Sequence, residues 1–134
     1  MVAGTTLESM QLYEVFRSLR FLRSRPEVDT TRITIVGKGE TGVHGLYAAL
    51  LDSNVARAVL SSPPPSHRHG PCYLGILKFT DIPEVIALMK DKVRLYGEIP
   101  LSLQLFLGQA GIEKTVIAES LVDCLPKVES LPEK

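Results

Sequence analysis

The chain is poor in cysteine, balanced in charge and without a long apolar run. Its two cysteines, Cys72 and Cys124, stand far apart. They match no metal or redox spacing and read as ordinary thiols. Lys plus Arg is 15 and Asp plus Glu is 15, so the formal net charge is zero. Nothing electrostatic recruits nucleic acid or an anionic membrane, and neither is expected as a partner. No basic segment leads into an apolar one at the start, so no secretory signal is expected, and no stretch is long enough to span a bilayer. The default expectation is a cytoplasmic protein. Composition is ordinary for a globular chain, at 45% hydrophobic and 22% charged over 134 residues. One domain is expected over 1–134, with a flexible start at 1–6 and a frayed tail at 126–134. No internal repeat or linker divides it.

What the chain does have is a strand, a glycine turn and a helix. Ile33–Val36 is a β-branched run and reads as a short buried strand. Gly37, Gly39 and Gly42 break it, and an apolar-periodic helix begins near Val43. Before it, Thr5 or Thr6 caps a helix whose stripe is Leu12, Val15, Phe16, Leu19 and Leu22, and which stops before Pro26. Arg17, Arg20, Arg23 and Arg25 crowd this helix and read as a solvated face. After the turn, Val43, Leu46, Tyr47, Leu50 and Leu51 make the next stripe. Val55–Leu60 is a second strand, halted by Ser61-Ser62-Pro63-Pro64-Pro65. An irregular segment follows from Ser66 to Lys78. Thr80 or Asp81 then caps a helix, with Pro83 in its first turn. Lys92–Tyr96 is a third strand, Leu101–Gln109 a helix wide enough in its apolar face to be buried, and Lys114–Ala118 a fourth strand. This alternation predicts a three-layer α/β/α fold with a mostly parallel sheet of about four strands. Right-handed crossovers set the strands side by side.

The turn sits where a hydrolase places its nucleophile, in a Gly-x-Ser-x-Gly elbow. Here the frame is Gly37-Lys38-Gly39-Glu40-Thr41, so Gly39 holds the nucleophile position and has no side chain to attack with. Three further runs accompany it: Tyr13–Arg17, then Phe21–Asp29 with its Arg-Pro-Glu-Val-Asp, then Arg32-Ile33. Together with Leu46–Asp52, Ala56–Pro64 and Ile82–Leu88, they resemble α/β-hydrolases of the bacterial acetyl xylan esterase type. The resemblance spans roughly Leu12 to Pro100 and implies the C-terminal half of that fold, without the N-terminal half that supplies the other oxyanion donor. It also implies a catalytic acid after Val93–Tyr96, where Glu98 stands, and a catalytic His after the last strand. No His follows Ala118; only His44, His67 and His69 exist. The expectation is a catalytically degenerate, esterase-like domain with a structural or binding role and an ester or carbohydrate ligand. A working esterase piece completed by another chain or by a missing half is the alternative.

Gly37-Lys38-Gly39-Glu40-Thr41-Gly42 also fits the dinucleotide pattern Gly-x-Gly-x-x-Gly. The second strand ends in Leu60-Ser61-Ser62, however, without the acid that holds a ribose, and Glu40 sets negative charge beside the phosphates. A nucleotide-binding, Rossmann-like module is kept as a further alternative, and no cofactor is assigned. His67 and His69 offer two ligands to a metal with Glu98 or Asp81, but a metal site needs three or four at a recognisable spacing, and a solvated loop is the preferred reading. His44 reads as packed or solvated. Ser61 and Ser62 have no activating base beside them and take a turn role. Lys38, Gly39, Glu40, Thr41, His67, His69 and Glu98 are the pocket candidates, because all leave the carboxyl ends of strands. The first strand is expected to leave an open edge, inviting a homodimer or a partner chain.

Overall fold

The computed structural model describes residues 6–127. The start expected to be flexible lies, but for Thr6, outside these residues, as does the tail from 128 onward. Helix α1 runs Leu7–Arg23. Thr6 caps it, its hydroxyl oxygen accepting the Ser9 N–H at 3.1 Å. Strand β1 is Ile33–Lys38, helix α2 Glu40–Leu51, strand β2 Val55–Ser61, helix α3 Ile82–Leu88 and strand β3 Val93–Tyr96. Helices α4 (Leu101–Gln109), α5 (Glu113–Val116) and α6 (Leu121–Cys124) follow. Asp81 caps α3 by accepting the Ile82 N–H, and Pro83 sits in its first turn, where a missing N–H costs nothing.

The sheet is parallel, in the order β1-β2-β3. It has three strands, and the expected fourth is corrected. Lys114–Val116 lies in α5, a single helical turn that buries Val116 in the core. Only Ile117 reaches the sheet, as an isolated bridge to Leu95. The β-branched run Thr115-Val116-Ile117 was a strand signal, but one bridge does not make a ladder. Among the described residues β1 pairs with β2 alone, so it forms an edge.

Side chains alternate across each strand. Ile33, Ile35, Ala58, Leu60, Val93 and Leu95 face the helices and join one core with Val43, Leu46, Ile82, Val85, Ile86, Leu103, Leu107 and Val116. Burying each large aliphatic there is worth about 1.5–3 kcal/mol. The opposite face carries Thr34, Val36, Arg57, Val59 and Arg94. Val36 is 46% exposed there, and α6 reaches this face through its Cys124 carbonyl, which accepts from Arg57. Two helical stripes need correction. In α2 the buried stretch is continuous from Gly42 to Ala49, while Leu51 is 66% exposed. In α4 only Leu103 and Leu107 are buried; Leu101 is 69% and Leu105 58% exposed. No helix among the described residues is long and apolar enough to cross a membrane.

Candidate functional site

The glycine turn is built by backbone meeting backbone. A Cβ on Gly37 would stand 2.6 Å from the Gly42 Cα, and one on Gly42 would stand 2.8 Å from the Gly37 carbonyl oxygen. Only hydrogen atoms fit between the end of β1 and the start of α2. Gly39 is the apex and precedes the helix, with φ 57° and ψ −131°. Few L side chains tolerate that conformation. A Cβ there would meet no atom within 4 Å. The apex of the turn is therefore open, held in a backbone conformation that suits glycine, and carries no side chain. No side chain caps α2; the Gly42 N–H donates back to the Gly39 carbonyl at 3.1 Å, which leaves the Glu40 and Thr41 N–H groups to solvent or a ligand.

The strand ends knit the turn to its neighbours. The Gly39 N–H donates to the Ser61 carbonyl at 2.9 Å, and the Ser62 N–H donates to the Tyr96 carbonyl at 3.0 Å. The Ser62 hydroxyl accepts the Glu98 N–H at 3.1 Å. Ser62 has φ 47°, the left-handed region, which is uncommon for a residue with a side chain. Gly97 permits the approach, because a Cβ there would lie 2.8 Å from the Ser62 Oγ. Lys38, Gly39, Ser62 and Glu98 thus share one rim. The Thr41 hydroxyl is turned back onto the Lys38 carbonyl at 2.7 Å. Glu40 lies against Gly70, bringing the His67–His69 loop beside the turn. Lys38, Glu40, Thr41, His69 and Glu98 are exposed.

His67 is not part of that rim, and this corrects the solvated-loop reading for it. It is 6% exposed. Its Nδ1 faces the Pro71 carbonyl at 2.8 Å, which can only accept, so Nδ1 carries the proton. Nε2 is then the acceptor for the Tyr47 hydroxyl at 2.7 Å. With both nitrogens engaged, His67 has no lone pair for a metal. Asp81 is equally committed: its carboxylate accepts from the Ser66 hydroxyl and from the His67 and Ile82 N–H groups. Burial pushes its pKa up, but those donors and the nearby His67 outweigh burial and hold it below the usual range. Among the described residues no three His, Cys, Asp or Glu side chains come together as a metal set.

His67 belongs to a four-ring cluster that the sequence reading missed. Tyr47 and Tyr73 meet edge-on at 5.1 Å between centroids, and His67 stands 5.4 Å from each. His44 completes it, 5.7 Å from Tyr73. Its Nδ1 is paired with the Tyr73 hydroxyl, and its Nε2 with the Gln11 amide oxygen at 3.1 Å. Burial, then Asp81 and Glu84, raise the Tyr47 pKa to about 12. Burial, then Tyr47 and Glu8, raise that of Tyr73 further. Both tyrosines remain protonated donors at neutral pH. Burial lowers the His44 pKa against the pull of Glu40 and Glu8. The cluster ties α1 and the 66–73 loop onto α2, and every polar atom in it has a partner. The one legible signal was spacing: His44 and Tyr47 lie three apart on one helix face.

The histidines offer little as general bases. His44 and His67 are occupied, and His69 is exposed. No family model, curated protein or solved structure matches the chain.

Proposed function

We propose that this chain is a catalytically degenerate, α/β-hydrolase-like domain that binds a small ester or carbohydrate at its glycine turn without cleaving it. The proposal includes the finer fold reading, the C-terminal half of a three-layer hydrolase. One observation carries it: the apex residue of a tight strand-to-helix turn is Gly39, with open space where a reactive side chain would project. Catalysis of acyl transfer needs a nucleophile and a base within hydrogen-bond reach of it. Gly39 supplies no nucleophile, and two of the three imidazoles are already paired. What remains suits binding. The uncapped first turn of α2 offers N–H donors to a carbonyl or hydroxyl oxygen, and Lys38, Glu40 and Glu98 offer polar contacts around it.

The test is an amide NMR titration of the chain with triacetin and with acetylated xylobiose. Saturable shifts at Gly39, Glu40, Thr41 and Glu98 are expected. They should weaken when Lys38, Glu40, His69 and Glu98 are replaced together by Ala. Shifts absent from the rim, or unaffected by that replacement, would overturn the reading.

A further inference from the structure

Helix α1 docks shallowly. It packs on α2, and Leu19 is its one buried residue. Polar contacts hold its two ends. At the C-terminal end Arg23 donates to the Asp52 carboxylate at 2.6 Å, where α2 stops. At the N-terminal end His44 of α2 joins two elements at once. Its Nε2 faces the Gln11 amide oxygen of α1 at 3.1 Å, which can only accept, so Nε2 carries the proton. Its Nδ1 is therefore the acceptor for the Tyr73 hydroxyl of the 66–73 loop. The Thr6 hydroxyl donates to the Cys72 carbonyl at 2.9 Å and ties the start of the helix to the same loop.

Of these ties, the imidazole is the one that changes charge near neutral pH. Proton uptake at Nδ1 turns an acceptor into a donor. The Tyr73 hydroxyl can turn its oxygen toward that donor. Its own proton then has no other hydrogen-bond acceptor among the described residues. Around the ring stand Glu8 of α1, Glu40 of α2 and Tyr73 of the loop, with Tyr47 and His67 packed behind Tyr73 at 5.1 and 5.4 Å. The two acids favour the imidazolium. Burial outweighs them and holds the pKa below its ordinary value. An undocked His44 therefore takes the proton first, and falling pH favours undocking.

We propose that His44 is the catch of a pH-sensitive latch, whose protonation favours release of the 66–73 loop and the first half of α1 from α2, with Arg23–Asp52 as the hinge. Glu40 lies against Gly70 of the same loop, so release also uncovers the start of α2. The latch stands whether or not the glycine turn binds a ligand.

The experiment is amide hydrogen exchange of the full chain, followed by NMR at about pH 7.5 and about pH 5 and read as protection relative to the unfolded rate at each pH. Protection from Gln11 to Val15 should fall by roughly fivefold or more at the lower pH, as for a donor that loses its acceptor. Protection from Phe21 to Arg23, at the hinge, should hold. His44→Gln keeps a donor and an acceptor but takes no proton, so the fall should vanish. Glu8→Gln serves should His44→Gln fail to fold. Without Glu8 the docked imidazole is harder to protonate, so the fall should deepen. Three results would overturn the latch: equal protection at both pH values in the wild type, an equal loss at Gln11 and Arg23, or an unchanged fall in the variants.

Discussion

Adding one methyl group at Gly37 tests how the glycine turn is held. In Gly37→Ala the new Cβ would stand 2.6 Å from the Gly42 Cα, 2.7 Å from the Gly42 nitrogen and 2.9 Å from the Thr41 carbonyl carbon. All three are backbone atoms, so no rotamer change relieves the clash. The first turn of α2 must move away from the end of β1. That helix buries every residue from Gly42 to Ala49, so shifting it opens the core. Overpacking costs about 1–3 kcal/mol, and backbone against backbone belongs at the upper end, about 3 kcal/mol. For a chain of this size that lowers Tm by about 10 °C. The control is Gly111→Ala. Gly111 has φ 71° and no atom within 4 Å of its Cβ position. It pays only the left-handed backbone cost, about 1 kcal/mol. Urea unfolding of both variants decides the matter. If Gly37→Ala is as stable as Gly111→Ala, the close approach is not what shapes the turn.

Asp81→Ala removes a helix cap and strands the His67 N–H and the Ser66 hydroxyl. Its cost should be about 3 kcal/mol by urea unfolding, from a lost cap plus unpaired donors, and a cost below about 1 kcal/mol would contradict the network. The pKa of His44 is lowered from its ordinary 6.5, so the unfolded chain takes up the proton first. The stability this contributes is present above about pH 6.5 and lost as pH falls toward the folded pKa. His44→Gln should therefore show a smaller fall in urea midpoint between about pH 7.5 and about pH 5 than the wild type, and an equal fall would contradict the assignment.

Local signals carried most of the fold. The pairs Thr5-Thr6 and Thr80-Asp81, with Pro83, marked helix starts, the second of each pair being the cap, and Pro26 lay just beyond the end of α1. The apolar run before Gly37 marked β1, although β1 extends through the glycine to Lys38. These features act within a few residues, and so they are legible. Features that depend on distant partners were not. Ser66-His67-Arg68-His69 looks solvated in sequence, yet His67 is buried because Tyr47 and Asp81, 20 and 14 positions away, satisfy its polar atoms. Lys114–Ala118 has strand composition, but the sheet offers it one bridge at Leu95, so its residues close a helical turn instead. At the candidate site, the shared rim of Lys38, Gly39 and Glu98 followed from strand order. Ser62 as the link to Glu98 did not, because it rests on a left-handed backbone that no residue type announces.

The central proposal is that the turn has the shape of an elbow without its chemistry. Hydrolysis of p-nitrophenyl acetate tests it most directly, with wild type, Gly39→Ser and Glu98→Ala measured against buffer. No turnover above buffer is predicted for the wild type. None is predicted for Gly39→Ser either, because the rings of His44 and His67 are occupied. Saturable turnover by the wild type that disappears in Glu98→Ala would contradict the account and place a carboxylate-led active site on this rim.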